Sequence, residues 1–188
     1  MKKTEVFNII HSLYDPGSVP HYYLICHGEA VARKALEIAV RPCLASEEID
    51  RDFLYTASML HDIGMIFTNA PEVECSGGAP YLLHGILGAE YLREMGLEEY
   101  ARVAERHLNL GVTREDIRRE NLPFPDRDMM PETLEEKIIC FADKFHSKVP
   151  KSLTIPKPVD VIVGKLPEYA RKRFFDMAEA FDEPGVPV

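Results

Sequence analysis

The sequence lacks paired cysteines and long apolar runs, and each absence excludes a class of protein. Its four cysteines include no Cys-x-x-Cys pair, so neither a zinc finger nor a thioredoxin-like site is predicted. No stretch approaches the roughly 18 to 20 apolar residues that a membrane-spanning helix needs. The N-terminal apolar stretch is short and interrupted by Glu5, Asn8 and His11, a poor match to a signal peptide. A cytoplasmic protein is therefore expected.

Basic residues are also in deficit, which bears on the partners of the protein. The 188 residues include 31 acidic and 22 basic side chains, for a formal net charge of −9. This charge disfavours binding to nucleic acid or to an anionic membrane surface. The negative charge does not exclude a small anionic substrate, because a bound metal could supply positive charge locally.

Helical periodicity dominates the sequence, and we find no persuasive strand pattern. Apolar spacing and turn residues predict helices over 4–13, 22–40, 47–63, 82–95, 98–108, 133–148 and 159–182, with a short one after Thr113. We therefore predict an all-α fold, a bundle of about six to eight helices. A single domain is expected over 1–188, with its core over 22–148, an N-terminal helix and a C-terminal helical tail.

Capping patterns and prolines set several of the predicted boundaries. Thr133 and Glu136 form the full capping-box pattern, and Thr113 with Asp116 forms a variant of it. Three prolines predict a break before the tail: Pro150, Pro156 and Pro158. The loop over 65–80 is a candidate wall or lid of a site.

Four of the seven histidines share the apolar faces of predicted helices: His27, His61, His84 and His107. Each alone is most simply a hydrogen-bonded core histidine. Four of them on four helices are harder to explain singly, because burying an imidazole costs free energy unless it has a partner. One metal could partner several at once. His11 and His21 are not expected to be ligands, and His146 is either a supporting residue or a reserve ligand.

Two aspartates stand in apolar surroundings. Asp62 directly follows His61, and Asp143 ends the apolar run that begins at Ile138. A carboxylate in such a setting must be paired, protonated or metal-bound. The aspartates therefore strengthen the prediction of a metal site.

At these residues the sequence resembles the HD superfamily of metal-dependent phosphohydrolases. The family pattern of a histidine, a His-Asp doublet and a distant aspartate reads here as His27, His61-Asp62 and Asp143. The doublet has the HDIG form, and the segments 83–90 and 105–107 resemble those that add two histidines in the binuclear branch. The resemblance covers about residues 22–148. Ligand order also resembles the branch that cleaves diadenosine tetraphosphate, which points to nucleotide or polyphosphate substrates.

The resemblance implies two divalent metal ions. One would be held by His27, His61, Asp62 and Asp143. The second would be held by Asp62, His84 and His107, with Asp62 bridging. Imidazole and carboxylate ligands suit Fe or Mn, which we favour, and also Zn, Ni, Co or Mg.

The implied reaction is hydrolysis of a phosphoester or phosphoanhydride, in a nucleotide or another small phosphorylated metabolite, by a metal-activated water. Asp62 and Lys144 are the candidate catalytic residues. The candidate substrate contacts are Arg106, Lys144 and Lys148, with Arg127 as a further candidate. Met65 stands where some binuclear relatives carry lysine, and the Gly-Tyr-Pro signature is missing, so cyclic-di-GMP is a disfavoured substrate.

Several alternatives remain open from the sequence. Some HD-domain proteins use the same ligands as a di-iron oxygenase. A regulatory module could bind nucleotide without turnover, and a nucleotidase could use a single ion at His27, His61, Asp62 and Asp143. A homodimer is also left open.

Overall fold

The computed structural model describes residues 1–148 and 153–186, and most of these residues are helical. The described residues form nine α-helices: α1 (Lys3–His11), α2 (Val19–Ile38), α3 (Arg51–Leu60), α4 (His84–Glu94), α5 (Glu98–Arg106), α6 (Arg114–Glu120), α7 (Leu134–Lys144), α8 (Val159–Lys165) and α9 (Glu168–Ala180). The predicted helical bundle is confirmed. Within the described ranges, no helix is both long and apolar enough to span a membrane.

The tail contains two helices where one was predicted over 159–182. Leu166 is extended, with φ −73° and ψ 139°, and Pro167 is the N-cap of α9. A residue before proline is driven out of the helical region by the proline ring, which explains the break. The break predicted at Pro150 lies outside the described residues.

The two predicted capping boxes have different outcomes. Thr113 and Asp116 form both reciprocal hydrogen bonds at the start of α6. Thr133 caps α7 by accepting from the Glu136 N–H at 3.1 Å, but the Glu136 carboxylate accepts from the Glu132 N–H at 2.7 Å. Glu136 is buried and paired with two arginines, Arg102 and Arg106, so it is not available for the box.

A small sheet, which the sequence did not predict, lies in the loop over 65–80. It contains β1 (Thr68–Ala70), β2 (Cys75–Ser76) and β3 (Ala79–Pro80) in the order β2-β1-β3. β1 pairs antiparallel with β2, with Asn69 opposite Ser76, and parallel with β3. Strands of two or three residues are too short to show an alternating pattern, which is why the prediction of no strands was wrong here.

Most helices share one apolar core. Its largest buried side chains include Ile10 of α1, Leu24 of α2 and Leu54 of α3. The tail joins the same core, because Phe174 of α9 packs against Phe141 of α7 with ring centroids 5.2 Å apart. A smaller cluster lies beside α4 and α6: Ile86, Leu108, Val112, Ile117, Phe124 and Met129.

Candidate metal centre

The His-Asp doublet lies where helix α3 ends and a short turn begins. Asp50 caps α3 by accepting from the Phe53 N–H at 2.9 Å, so the helix begins later than predicted and ends at Leu60. His61 is its C-cap, and Asp62 has left the helix, with φ −105° and ψ 11°. A short 3-10 turn over Ile63–Phe67 follows. The two side chains of the doublet can therefore face the same centre, which continuous helix would prevent.

His27 approaches the doublet from the middle of α2. Val31 and Ala35 lie one and two turns further along the helix and are fully buried, so they place His27 on the inward face. Its Nε2 lies 3.1 Å from Oδ2 of Asp62 and 3.0 Å from Oδ1 of Asp143. Asp143 lies near the end of α7, and its Oδ1 is also 3.5 Å from Nε2 of His61.

His84 and His107 face the other oxygen of Asp62. His84 is the first residue of α4, and its Nε2 lies 3.0 Å from Oδ1 of Asp62. His107 is the C-cap of α5, and its Nε2 lies 3.6 Å from the same oxygen. The two oxygens of Asp62 thus divide the cluster, Oδ2 toward His27 and His61, and Oδ1 toward His84 and His107.

Three of the histidines are oriented in the same way. Each Nδ1 lies against the carbonyl oxygen three residues earlier: His61 on Ser58 at 2.6 Å, His84 on Tyr81 at 2.7 Å and His107 on Ala104 at 2.7 Å. A carbonyl can only accept, so these nitrogens donate and Nε2 of the neutral ring keeps its lone pair. Metal-binding histidines are commonly held by such bonds.

The facing nitrogens are poorly satisfied by the protein itself. Nε2 of His84 and Nε2 of His107 lie 3.2 Å apart, so in neutral rings two lone pairs oppose each other. Nε2 of His61 and Oδ1 of Asp62 are buried and make no hydrogen bond, whereas Oδ2 of Asp62 lies against the Lys148 ammonium. Buried polar atoms of this kind need a partner, and a cation between them would provide one.

The donor atoms fall into two groups, each within 4.8 Å. The first group is His27, His61, Asp62 and Asp143, and the second is Asp62, His84 and His107. These are the two sets expected from the sequence. Such buried imidazole and carboxylate donors are compatible with binding divalent metal ions.

The ionisation of the centre is set by burial and by close charges. Burial lowers the pKa of His61, but Asp62 and Asp143 outweigh it and raise that pKa to about 9. Burial raises the pKa of Asp62, but His61, Lys148 and His84 bring it well below its usual range. The carboxylate of Asp62 is therefore held in its charged form, as a ligand to a cation requires.

Two of the three predicted substrate contacts reach the centre. Nζ of Lys144 lies 2.7 Å from Oδ2 of Asp143, and Nζ of Lys148 lies 2.5 Å from Oδ2 of Asp62. Both lysines line a cavity of about 740 Å³, together with His27, His84, His107 and Asp143. They place positive charge in the cavity beside the donor residues.

Two predicted arginines are directed elsewhere. Arg106 pairs with Glu136 at 2.9 Å and with Glu132 at 3.0 Å, and its side chain does not line the cavity. Arg127 pairs with Glu105 through two hydrogen bonds, of 3.0 and 2.7 Å. The structure therefore does not bring either arginine to the centre, because buried glutamates take up their charge.

The remaining histidines differ in position. His146 lines the cavity, and burial together with the charge of His27 lowers its pKa to about 4. It belongs to neither donor group. His11 and His21 pack against each other with ring centroids 5.2 Å apart and also lie outside both groups.

Tyr14, which no sequence pattern indicated, holds the turn after the doublet. Its hydroxyl donates to the Ile63 carbonyl at 2.8 Å and accepts from the Ile66 N–H at 3.0 Å. It comes from the segment after α1, far away in sequence, so no spacing rule could identify it. The wall of the cavity was anticipated in part: residues 69–73 of the 65–80 loop line it, as do Tyr81 and Asn109.

Comparison with known proteins gives the family. The HD domain model matches residues 24–148, which include all six donor residues. An uncharacterized protein of Methanocaldococcus jannaschii is 38% identical over 120 residues, 63% of this chain and 63% of that protein. A tRNA (cytidine(56)-2'-O)-methyltransferase of Picrophilus torridus is 34% identical over 126 residues, 66% of this chain and 31% of the enzyme.

A second tRNA (cytidine(56)-2'-O)-methyltransferase, from Thermoplasma volcanium, is 29% identical over 158 residues, 84% of this chain and 39% of the enzyme. The chain thus spans less than two thirds of the length of each of these relatives. The family model, in contrast, covers well over half of the chain and all of the donor cluster. The chain therefore belongs to the HD domain family.

Proposed function

We propose that the chain is a metal-dependent phosphohydrolase that cleaves a phosphoester or phosphoanhydride of a nucleotide or another small phosphorylated metabolite. The observation that carries this proposal is the pair of donor groups that share Asp62. Its two oxygens point to different groups, which suits a bridging ligand. When bound, two divalent ions supply a nucleophilic water at neutral pH and neutralise charge on the phosphoryl oxygens.

The residues of the chain have separate tasks in this proposal. The three Nδ1–carbonyl bonds fix the imidazoles so that Nε2 faces the centre. Asp62 links the two groups and orients the attacking water through its carboxylate. Lys144 and Lys148 would hold the phosphoryl group, because both line the cavity beside the donor residues and the metal ions would replace them as partners of Asp143 and Asp62.

Methyl transfer is not proposed, although two relatives carry that name. The similarity covers 31% and 39% of those enzymes, so the methyltransferase activity in their names belongs to proteins much longer than the matched part. The donor cluster of this chain is suited to holding cations and activating water. Incubation with labelled methyl donor and tRNA should therefore transfer no label, and transfer would contradict the proposal.

The proposal is tested by assaying phosphate and nucleotide release on protein loaded separately with Fe, Mn, Co, Ni and Mg. The substrates are nucleoside monophosphates, dinucleoside polyphosphates and cyclic nucleotides. We expect metal-dependent release of product from at least one class. Asp62→Asn should abolish both metal retention and turnover, because it removes the charge shared by both donor groups.

The matched control is Asp52→Asn, which removes an exposed carboxylate in the first turn of α3, the helix that leads to the doublet, and should leave turnover unchanged. An active Asp62→Asn enzyme would contradict the central role of the doublet. Consumption of dioxygen with a mixed-valence iron signal would favour an oxygenase. Nucleotide binding without release of product from any substrate would favour a regulatory module.

A further inference from the structure

Lys157 reaches the cavity from outside the part of the chain that matches the family model, which ends at residue 148. The Lys157 N–H donates to the Phe145 carbonyl at 2.7 Å, which fixes the returning chain against the end of α7. The Lys157 side chain lines the same cavity as the donor histidines and Lys144. The segment that joins α7 to the tail therefore adds a positively charged side chain to a site that the HD domain segment builds.

This cation differs from its two neighbours in having no counter-ion among the residues that the structure describes. Lys144 is paired with Asp143, and Lys148 with Asp62. Within 1–148 and 153–186, no carboxylate lies within ion-pair distance of Lys157. Glu72 also lines the cavity, but its side chain is exposed and makes no ion pair with Lys157. The unmatched charge lies within a cavity where an anion could enter.

The surroundings of Lys157 make its charge unfavourable without a ligand. Burial lowers its pKa to about 8, and Lys144, Lys165 and Lys148 contribute to this lowering against the opposing effect of Asp143. A half-buried ammonium with like charges nearby is stabilised when an anion binds between them. An anionic group in this part of the cavity would therefore relieve both the burial and the repulsion.

We propose that Lys157 binds a second phosphoryl group of the substrate, next to the one held at Lys144 and Lys148. The preferred substrates would then carry at least two linked phosphoryl groups, as in a nucleoside diphosphate or triphosphate. This inference rests on the proposed function, because it takes the first phosphoryl group to lie at the metal centre. It assigns to the segment between α7 and α8 a role in selecting diphosphates over monophosphates.

The test is calorimetric binding of methylenediphosphonate and of orthophosphate to the metal-loaded full chain. Methylenediphosphonate is a diphosphate analogue that cannot be hydrolysed, so binding is measured without turnover. The wild-type protein should bind it more tightly than orthophosphate. Lys157→Gln should lose about tenfold in affinity for methylenediphosphonate, as removal of one charge-assisted hydrogen bond predicts. Its affinity for orthophosphate should stay within about twofold.

Two further variants separate a direct contact from a general change of charge. Lys165→Gln removes the same charge from an exposed position on α8 that does not line the cavity, and should bind the diphosphonate within about twofold of wild type. Lys157→Arg should retain most of the affinity, because the positive donor is kept. Circular dichroism spectra that match wild type show that each variant is folded.

The inference is overturned by any of three results. These are no preference of the wild type for the diphosphonate, unchanged binding by Lys157→Gln, or an equal loss in Lys165→Gln. Its failure is distinguishable from that of the proposed function. If affinity for the diphosphonate depends on Lys157 but no substrate is hydrolysed, the phosphoryl subsite is supported and the hydrolase proposal is rejected. If Lys157→Gln and wild type hydrolyse monophosphates and diphosphates with the same kcat/KM, the hydrolase proposal is supported and the subsite is rejected.

Discussion

Tyr14 shows how a residue outside the donor cluster can fix the position of a donor side chain, here Asp62. Its buried hydroxyl makes two hydrogen bonds to the turn that follows Asp62, and burial raises its pKa, so it stays protonated and can donate. Without the hydroxyl, the Ile63 carbonyl and the Ile66 N–H lose this partner. The position of Asp62 therefore depends on a contact with the segment after α1.

Tyr14→Phe should lower the free energy of unfolding by about 1 to 3 kcal/mol, because it leaves buried backbone groups unsatisfied. Metal retention should fall as well, since the turn next to Asp62 is loosened. Denaturant titration and metal analysis of the purified variant measure the two effects. Tyr91→Phe is the control, because its hydroxyl bonds Ser12 at the exposed surface and its loss should change stability by less than about 0.5 kcal/mol. Equal effects of the two variants would contradict the bracing role.

Lys157 should lower the stability of the folded protein when no anion is bound. Its pKa is lowered from 10.5, the ordinary value for a lysine in the unfolded chain, to about 8 in the folded protein, so the folded state binds fewer protons between these values. The penalty is therefore complete below pH 8 and disappears as pH rises through 10.5. Lys157→Gln should raise the stability of the anion-free protein at pH 7 by about 1 kcal/mol, after allowance for solvent screening.

Thermal unfolding at pH 7 and at pH 10 measures this difference. The gain should shrink at the higher pH, where wild-type Lys157 is largely neutral. Lys165→Gln should show no comparable gain. A Lys157→Gln variant that is less stable than wild type at pH 7 would contradict an unpaired, desolvated charge at this position.

The donor residues could be predicted from the sequence, and their supporting residues could not. His27, His61 and Asp143 are identified by polar groups in apolar settings and by an ordered motif, both of which are local signals. Tyr14 and Lys157 act through contacts across long stretches of chain, which leave no local pattern. Arg106 carries a charge suited to phosphate, but only the fold reveals that Glu136 neutralises it.

At the scale of elements, two glycines that lie against each other, Gly64 and Gly88, allow α4 to bring His84 close to Asp62. A Cβ on Gly64 would lie 2.2 Å from the Gly88 nitrogen and 2.2 Å from the His84 carbonyl oxygen. Both neighbours belong to the backbone of α4, so neither can move without moving the helix. The close contact of α4 with the turn after the doublet therefore sets the position of His84.

Gly64→Ala should destabilise the fold by about 3 kcal/mol or more, because the clash is with backbone. It should also displace His84 and reduce metal content. Gly78→Ala is the matched control, since nothing lies within 4 Å of a Cβ there. Thermal unfolding and metal analysis give the comparison. Wild-type stability and metal content in Gly64→Ala would contradict the close-packing role.

Helices were predictable as elements, whereas their ends and the small sheet were less so. Long amphipathic segments such as α2 repeat the apolar spacing over several turns, which gives a strong signal. Ends depend on which polar side chain takes the free backbone groups. Asp50 shows this, because its carboxylate accepts from the Phe53 N–H and α3 therefore begins at Arg51, later than the predicted start at 47.

At the scale of the whole molecule, the tail holds the turn that follows His107. Asn109 and Leu110 have φ values of 48° and 64°, a conformation that side chains other than glycine adopt at a cost. The Asn109 amide donates to the Tyr169 hydroxyl at 2.9 Å, and Arg173 donates to the Gly111 carbonyl at 2.7 Å. Helix α9 thus stabilises a strained turn beside the second donor group.

Arg173→Ala should destabilise the protein by about 2 to 4 kcal/mol, because it also leaves the buried carboxylate of Asp116 with one fewer partner. Binding of metal by the second group should weaken with it. Lys172→Ala is the control, since its ion pair with Asp176 is exposed and worth little. Denaturant unfolding of both variants tests the difference, and equal stabilities would contradict the bracing of the turn by α9.

The most direct test of the central claim is the metal-to-protein ratio of the purified chain, measured by inductively coupled plasma mass spectrometry. Two donor groups sharing Asp62 predict two ions for each wild-type chain. The double variant His84→Ala/His107→Ala should retain one, because the group of His27, His61, Asp62 and Asp143 is left intact. A ratio of one in both proteins, or of two in both, would contradict the assignment of His84 and His107 to a second metal.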